Sequence, residues 1–262
     1  MHHISDHAFG VNYYEGLAGG CIARTLYEQE HDSDGGDDAS FGTDIHTWLA
    51  AYHAMQQPPD LSAEPIPRSC SQAALVERYA KRFAPDHFGT PLLIEERLRM
   101  PVVGEGWEEP FAGTLDLIAR LDAAQVAALE ASRGIVLENG PGDYLVDHKT
   151  KKQHGMLMAQ GFLLSPQFTG YYHTYHHFYP ERPRLKGTLV NIMFRYMNED
   201  DKQFMLLFVP PPEEEATKVW QSLVRDGAER RRTKGDTHCT PTRCFDYNRV
   251  CPRFDECPRH NL

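Results

Sequence analysis

The sequence predicts an α/β protein of 262 residues, with a β-sheet flanked by helices. Two observations lead to this fold class. Helical segments come first in the chain, followed by a cluster of strands, an aromatic helix and two further strands. In addition, the acids Asp116 and Asp147 fall late in their predicted strands, where open α/β sheets place their ligands.

The elements follow from periodicity and from residues that interrupt it. Helices are predicted at 12–27, 42–57, 70–84, 122–132, 166–179 and 213–232. Strands are predicted at 91–102, 110–121, 143–149, 187–196 and 202–210. A Gly/Asp-rich loop follows the first helix, and Pro210 to Pro212 end the last strand before an amphipathic closing helix. We expect one domain with a helical part at 12–90, a core at 91–210 and a cysteine-rich tail within 211–262.

Composition sets limits on the class of protein. The chain is 41% hydrophobic, which allows a substantial core, and it has neither a membrane-length apolar run nor a signal-peptide pattern. We therefore expect a cytoplasmic protein without a membrane partner, in a bacterium or in a cell infected by a phage. A net charge of −10 argues mildly against nucleic-acid binding, but basic residues cluster at 148–154, 182–186 and 225–234.

The segment Tyr144 to Thr150 carries the most informative side chains. Asp147 and Lys149 are two residues apart, so on a strand they leave the same face. Asp116 lies on the preceding strand. Two acids and a lysine at strand ends are typical of a divalent-metal phosphodiesterase site, in which the acids bind the cation and the lysine meets charge on phosphate. On its own, an Asp-x-Lys pair is more often a surface ion pair.

Two further segments accompany these strands. Gln167 and Tyr171 lie one turn apart on one face of the predicted aromatic helix. His46 lies in Gly42-x3-His46, within an earlier predicted helix. The order His46, Asp116, Asp147-x-Lys149 and Gln167-x3-Tyr171 resembles the RecB-like branch of the PD-(D/E)xK nuclease superfamily.

This resemblance spans about residues 12–257 and implies a restriction-endonuclease-like core, in which a mixed sheet forks at the active site. It implies that His46, Asp116 and Asp147 bind Mn²⁺ or Mg²⁺, with the carbonyl of His148 completing the shell. Lys149 would stabilise the transition state, and Gln167 and Tyr171 would position Lys149 or the scissile strand. An imidazole ligand favours manganese somewhat.

Two features depart from the usual pattern of this branch. The interval between Asp116 and Asp147 is long, which a helical insert closed by the turn 139–142 would explain. The position between the acid and the lysine is often tyrosine or another apolar residue, whereas here it is His148, which should matter little because it points to the opposite face. Glu95 or Glu96 is either an accessory acid near the metal or part of a surface pair.

The six cysteines predict a bound metal or cluster, because disulfides are unusual in a cytosolic protein. No C-x2-C pair is present, so an iron–sulfur cluster is favoured over zinc. Relatives of the AddB, CRISPR-adaptation and phage exonuclease type have one cysteine before the nuclease core and three after it. That arrangement implies a 4Fe–4S cluster on Cys21, Cys244, Cys251 and Cys257. Cys239 competes for one of these positions, and Cys70 reads as a small buried residue.

The leading prediction is a DNA exonuclease that acts on single strands or duplex ends, with recombination or CRISPR-adaptation proteins as partners. A non-catalytic DNA-binding module of the same fold is the alternative. An iron–sulfur redox protein is a third class, but the chain has no dinucleotide-binding glycine loop.

Overall fold

The computed structural model describes residues 37–61, 72–152, 158–195 and 203–234, together with Tyr14 and Ala18. All six cysteines lie outside these residues, so the predicted cluster ligands Cys21, Cys244, Cys251 and Cys257 stay a prediction.

A five-stranded mixed sheet forms the centre of the described chain. Its strands run in sequence order, β1-β2-β3-β4-β5, and only the β3–β4 pair is parallel. The strands are β1 (Thr90–Gly104), β2 (Trp107–Leu121), β3 (Gly142–Lys151), β4 (Thr188–Phe194) and β5 (Phe204–Val209). The predicted α/β class is therefore confirmed.

Helices cover both faces of this sheet. They are α1 (Asp37–His53), α2 (Gln72–Arg82), α3 (Ala123–Arg133), α4 (Met158–Leu163), α5 (Pro166–Phe178) and α6 (Glu214–Lys234). The short helix α4 is the one element among them that the sequence did not predict. Within the described residues, no helix has both the length and the apolar character that a membrane span needs.

Alternation along the inner strands explains the two-sided core. On β3, Leu145 packs in a cluster with Tyr175 of α5, whereas the next residue, Val146, packs in another with Val126 of α3. On β4, Ile192 packs with Phe168 of α5, and the next residue, Met193, packs on the other face with residues of α1 and α2. Because successive strand residues point to opposite faces, both faces of β3 and β4 are buried.

The predicted helical insert is α3, and its boundaries have local causes. Asp122 caps the N-terminus in a capping box with Gln125, and Gly134 ends the helix in the left-handed conformation, at φ 64°. The turn at Gly140 then returns the chain to β3, where the Tyr144 hydroxyl donates to the Gly140 carbonyl at 2.6 Å. The insert therefore lengthens the connection between β2 and β3 without disturbing the pairing of these two strands.

Candidate active site

The sheet forks between β2 and β3. Their pairing runs from Leu121–Gly142 to Leu117–Val146 and then stops, while β3 continues beside β4 to Lys151. Asp116 and Asp147 are the first residues beyond the last pair. The Asp116 carboxylate accepts the backbone N–H of His148 at 2.7 Å, so it joins the two strands where they separate.

Helix α1 brings His46 to this fork. Ile45 and Leu49 of the same helix are fully buried, which fixes the helix on the sheet and leaves His46 partly exposed beside Asp116. The His46 Nδ1 atom is 3.4 Å from Asp116 Oδ2. Burial alone would lower the pKa of His46, but the hydrogen bond and negative charge of Asp116 outweigh it and raise that pKa.

Glu95 joins these two residues from the edge strand β1. Its carboxylate oxygen, a ring nitrogen of His46 and a carboxylate oxygen of Asp116 lie within 4.8 Å of one another. Partial burial of its carboxylate, together with the negative charge of Asp116, raises the pKa of Glu95 to about 7. Three potential ligand atoms therefore converge from three different elements.

The backbone at Glu95 has an unusual conformation. Its φ is 50°, in the left-handed region that a non-glycine residue rarely adopts inside a strand. Ile94 and Glu96 pair with Leu117 and Leu115, whereas Glu95 makes no ladder pair with Asp116. Conformations of this kind cost about 1–3 kcal/mol each and cluster at functional sites. Here the distortion accompanies the placement of a carboxylate beside Asp116.

Asp147 and Lys149 form a buried ion pair at the same fork. The Lys149 Nζ atom lies 2.9 Å from Asp147 Oδ1 and 2.7 Å from Oδ2, and Asp147 is only 1% exposed. Burial raises the pKa of Asp147 to about 6, with Lys149 opposing this rise and Asp116 adding to it. Burial alone would lower the pKa of Lys149, but Asp147 and Asp116 raise it, so the side chain stays a cation.

Helix α5 contributes Tyr171 and Gln167. The Gln167 amide donates to the Tyr171 hydroxyl at 2.7 Å, as the predicted one-turn spacing allows. Gly113 of β2 makes room for the tyrosine ring, since a methyl group at that position would collide with it. Burial and the charge of Asp147 raise the pKa of Tyr171 to about 12, so it remains a neutral phenol.

The structure thus places His46, Asp116, Asp147, Lys149 and the Gln167–Tyr171 pair in one region. The three ligand atoms that converge are those of His46, Glu95 and Asp116, whereas Asp147, also predicted as a metal ligand, is paired with Lys149. The structure also separates the two glutamates that the sequence left open. Glu95 joins the fork, whereas the Glu96 carboxylate accepts from the Tyr179 hydroxyl at 3.4 Å. The sequence holds no signal for that choice, because the two are adjacent and the irregular backbone decides which one faces Asp116.

The groups at the fork fit a hard divalent cation. Carboxylate oxygens and one imidazole nitrogen are ligands that Mn²⁺ accepts and that Mg²⁺ accepts less readily. Three carboxylates, from Glu95, Asp116 and Asp147, face a single ammonium, from Lys149. A dication would relieve the repulsion that contributes to the raised pKa values of Glu95 and Asp147.

Comparisons with known proteins assign no family. No family model matches the chain, and no curated protein matches it. One solved structure, described as "Crystal structure of SSO0001", aligns over 94% of this chain and 84% of that protein, at 13% sequence identity and a TM-score of 0.47.

Proposed function

We propose that this protein is a metal-dependent DNA nuclease, with exonuclease activity, related to the RecB-like branch of the PD-(D/E)xK superfamily. The observation that carries the proposal is the convergence of His46, Glu95 and Asp116 within 4.8 Å, at the fork that also holds the Asp147–Lys149 ion pair. Metal-dependent hydrolysis of a phosphodiester uses a bound cation and is helped by a second positive charge nearby, and this fork supplies residues for both.

The carboxylates of Glu95, Asp116 and Asp147 and the imidazole of His46 would hold the cation. The carbonyl of His148, predicted from the resemblance, would be a further ligand. When bound, a divalent cation provides a water of lowered pKa and neutralises phosphate charge. Because the raised pKa values of His46 and Glu95 keep protons in the site, cation binding would release those protons and would strengthen as the pH rises.

Lys149 would act on the phosphate or on the attacking water. Its ammonium is held by Asp147, so it is oriented before substrate arrives. A preoriented charge in a buried site stabilises developing negative charge more strongly than a charge in water does. This arrangement favours transition-state stabilisation as the role of Lys149.

Tyr171, on α5, would help to position the phosphate. Its hydroxyl oxygen accepts the Gln167 amide, which leaves the phenol proton to donate to a phosphate oxygen. Because burial keeps the phenol neutral, Tyr171 can donate at any pH at which the site is otherwise active.

DNA as the substrate rests on the resemblance in motif order. The same resemblance carries the proposed 4Fe–4S cluster on the terminal cysteines. The cluster would join the two ends of the chain and stabilise the fold, without taking part in hydrolysis.

A cleavage assay tests this function. Anaerobically purified protein is incubated with end-labelled single- and double-stranded DNA, with Mn²⁺, with Mg²⁺ or with a chelator. We expect metal-dependent cleavage that Asp116→Ala abolishes and that Glu108→Gln, an exposed acid on β2, leaves unchanged. Binding of DNA without cleavage by cluster-replete protein would favour the non-catalytic module instead.

A further inference from the structure

Arg133, at the end of the inserted helix α3, turns its guanidinium into the protein. The group lies 4.3 Å above the ring of Phe83, its Nη2 donates to the Asn191 side-chain oxygen at 3.1 Å, and its Nη1 is buried. Burial lowers the pKa of Arg133 to about 10. Within the described residues no carboxylate pairs with it. A half-buried arginine with a fully buried Nη1 and no acid is unusual, because desolvation of the charge is costly.

Asn191 connects this guanidinium to the strand that carries Asp147 and Lys149. It lies on β4 directly opposite His148 and is fully buried. Since Arg133 donates to the amide oxygen, the amide nitrogen faces the other way, 3.2 Å from the Tyr79 hydroxyl and 3.0 Å from His148 Nδ1. In this network the nitrogen of His148 that faces Asn191 is an acceptor.

His148 is in turn fixed to the candidate metal site. Its ring stacks on that of His53, with centroids 5.3 Å apart and planes 5° from parallel. Its backbone N–H donates to Asp116 at 2.7 Å, and its neighbours in sequence are Asp147 and Lys149. His148 is therefore held in two ways: its side chain is packed on one face of the sheet, and its backbone is bonded to Asp116 at the fork.

We propose that Arg133 is a positioning residue that acts through Asn191 and His148 to hold the Asp147–His148–Lys149 backbone in its metal-binding geometry. This inference rests on the proposed function, since it concerns the affinity of the same cation site. It gives a role to the helical insert and to the histidine between the acid and the lysine. Both are the features in which this chain departs from the family that it resembles.

Arg82 provides a matched control. Its guanidinium lies over the same Phe83 ring, at 5.6 Å, but the side chain is exposed, and the hydrogen bond to the Asn191 oxygen comes from Arg133. Replacing either arginine by methionine removes one cation from that ring. Only the change at Arg133 removes the connection to Asn191.

The experiment measures Mn²⁺ binding directly, by calorimetry on folded protein without DNA. We expect Arg133→Met to raise the dissociation constant of Mn²⁺ about tenfold, the lower part of the range for residues that support metal ligands indirectly. Arg82→Met should keep the wild-type value. In cleavage assays, the Mn²⁺ concentration for half-maximal rate should rise by the same factor, with KM for DNA unchanged.

A double mutant separates positioning from general destabilisation. Asn191→Leu should weaken Mn²⁺ binding at least as much as Arg133→Met, and adding Arg133→Met to Asn191→Leu should cause no further loss. Effects that add would mean that the residues act independently. If Arg133→Met does not fold, Arg133→Lys takes its place, because lysine keeps the charge but lacks the planar guanidinium that reaches Asn191.

An unchanged Mn²⁺ affinity in the folded Arg133 variant overturns the positioning role, whatever the nuclease activity. If the wild type binds Mn²⁺ but cuts no DNA, the proposed function fails, while the affinities of the variants still decide the positioning role. If the wild type binds no Mn²⁺, both fail.

Discussion

Replacing Glu95 by glutamine tests whether the strained edge-strand acid belongs to a cation site. The substitution keeps the size of the side chain and removes one of the three carboxylates that meet at the fork. It should change metal-free stability and the stabilisation added by Mn²⁺ in opposite directions. The metal-free protein should become more stable at high pH, and the stabilisation provided by Mn²⁺ should shrink.

The magnitude for the metal-free protein follows from the pKa of Glu95. Its ordinary value of 4.5 rises to about 7 on folding, so the folded protein binds more protons than the unfolded chain between these values. Stability is therefore lost as the pH rises from 4.5 to about 7. At about 1.4 kcal/mol per pH unit this interval amounts to at most about 3.5 kcal/mol. Because the side chain is more than a third exposed, screening by solvent reduces the expected gain to about 1 kcal/mol.

The magnitude for the metal-bound protein follows from the number of ligands. Loss of one carboxylate from the fork should weaken Mn²⁺ binding by a factor of ten or more. At saturating metal, each factor of ten removes about 1.4 kcal/mol of stabilisation. The gain in metal-free stability and the loss of stabilisation by Mn²⁺ should thus be of similar size and opposite sign, so the stability of the metal-saturated protein should change little.

Urea unfolding at pH 5 and pH 8, with and without Mn²⁺, measures both quantities. Glu96→Gln is the matched control, because this neighbouring glutamate contacts Tyr179 and lies outside the fork. A lower metal-free stability of Glu95→Gln at pH 8 would contradict the unfavourable burial of this carboxylate. Stabilisation of the variant by Mn²⁺ to the same extent as the wild type would contradict its role as a ligand.

Three further predictions concern the same site. Lys149→Ala should lower turnover on the order of 10²–10³-fold, as loss of one transition-state contact does. The Mn²⁺ affinity of this variant should stay largely intact. Near-normal turnover would mean that Lys149 takes no part in the mechanism. Gly113→Ala should displace the Tyr171 ring and lower turnover, whereas Gly161→Ala, at a position with open space around it, should leave turnover unchanged. Equal rates for the two variants would show that Tyr171 does not contribute to catalysis. Mn²⁺ affinity should fall as the pH drops through about 7 and then about 6, where Glu95 and then Asp147 take up protons. A constant affinity between pH 5.5 and 8 in direct binding measurements would contradict this.

The sequence predicted the sheet because strands follow from local signals: alternation, turn residues and proline stops locate them. The meeting of Asp116 and Asp147 depends on more than local signals, because β2 and β3 are antiparallel and residues late in both strands would lie at opposite ends. The two acids come together because the register that pairs Leu117 with Val146 places them side by side at the fork. The contact between Gln167 and Tyr171, by contrast, follows from their one-turn spacing alone.

What the sequence could not give depends on long-range register. Glu95 rather than Glu96 reaches the fork because the backbone takes a left-handed conformation there, and no residue type signals it. The connection from Arg133 to His148 requires that Asn191 lie opposite His148, across a parallel pair separated by about forty residues of chain. For that reason His148 looked replaceable in the sequence, whereas the structure gives its side chain a buried hydrogen-bond partner.

The most direct test of the central claim is the single-turnover rate of cleavage of end-labelled DNA at saturating Mn²⁺, compared between the wild type and Asp147→Ala. Asp147 both belongs to the proposed cation site and holds Lys149. We predict cleavage by the wild type and only background cleavage by the variant, in protein of equal folded fraction. Cleavage that survives Asp147→Ala, or a wild type that leaves DNA intact in its cluster-replete form, would contradict the account.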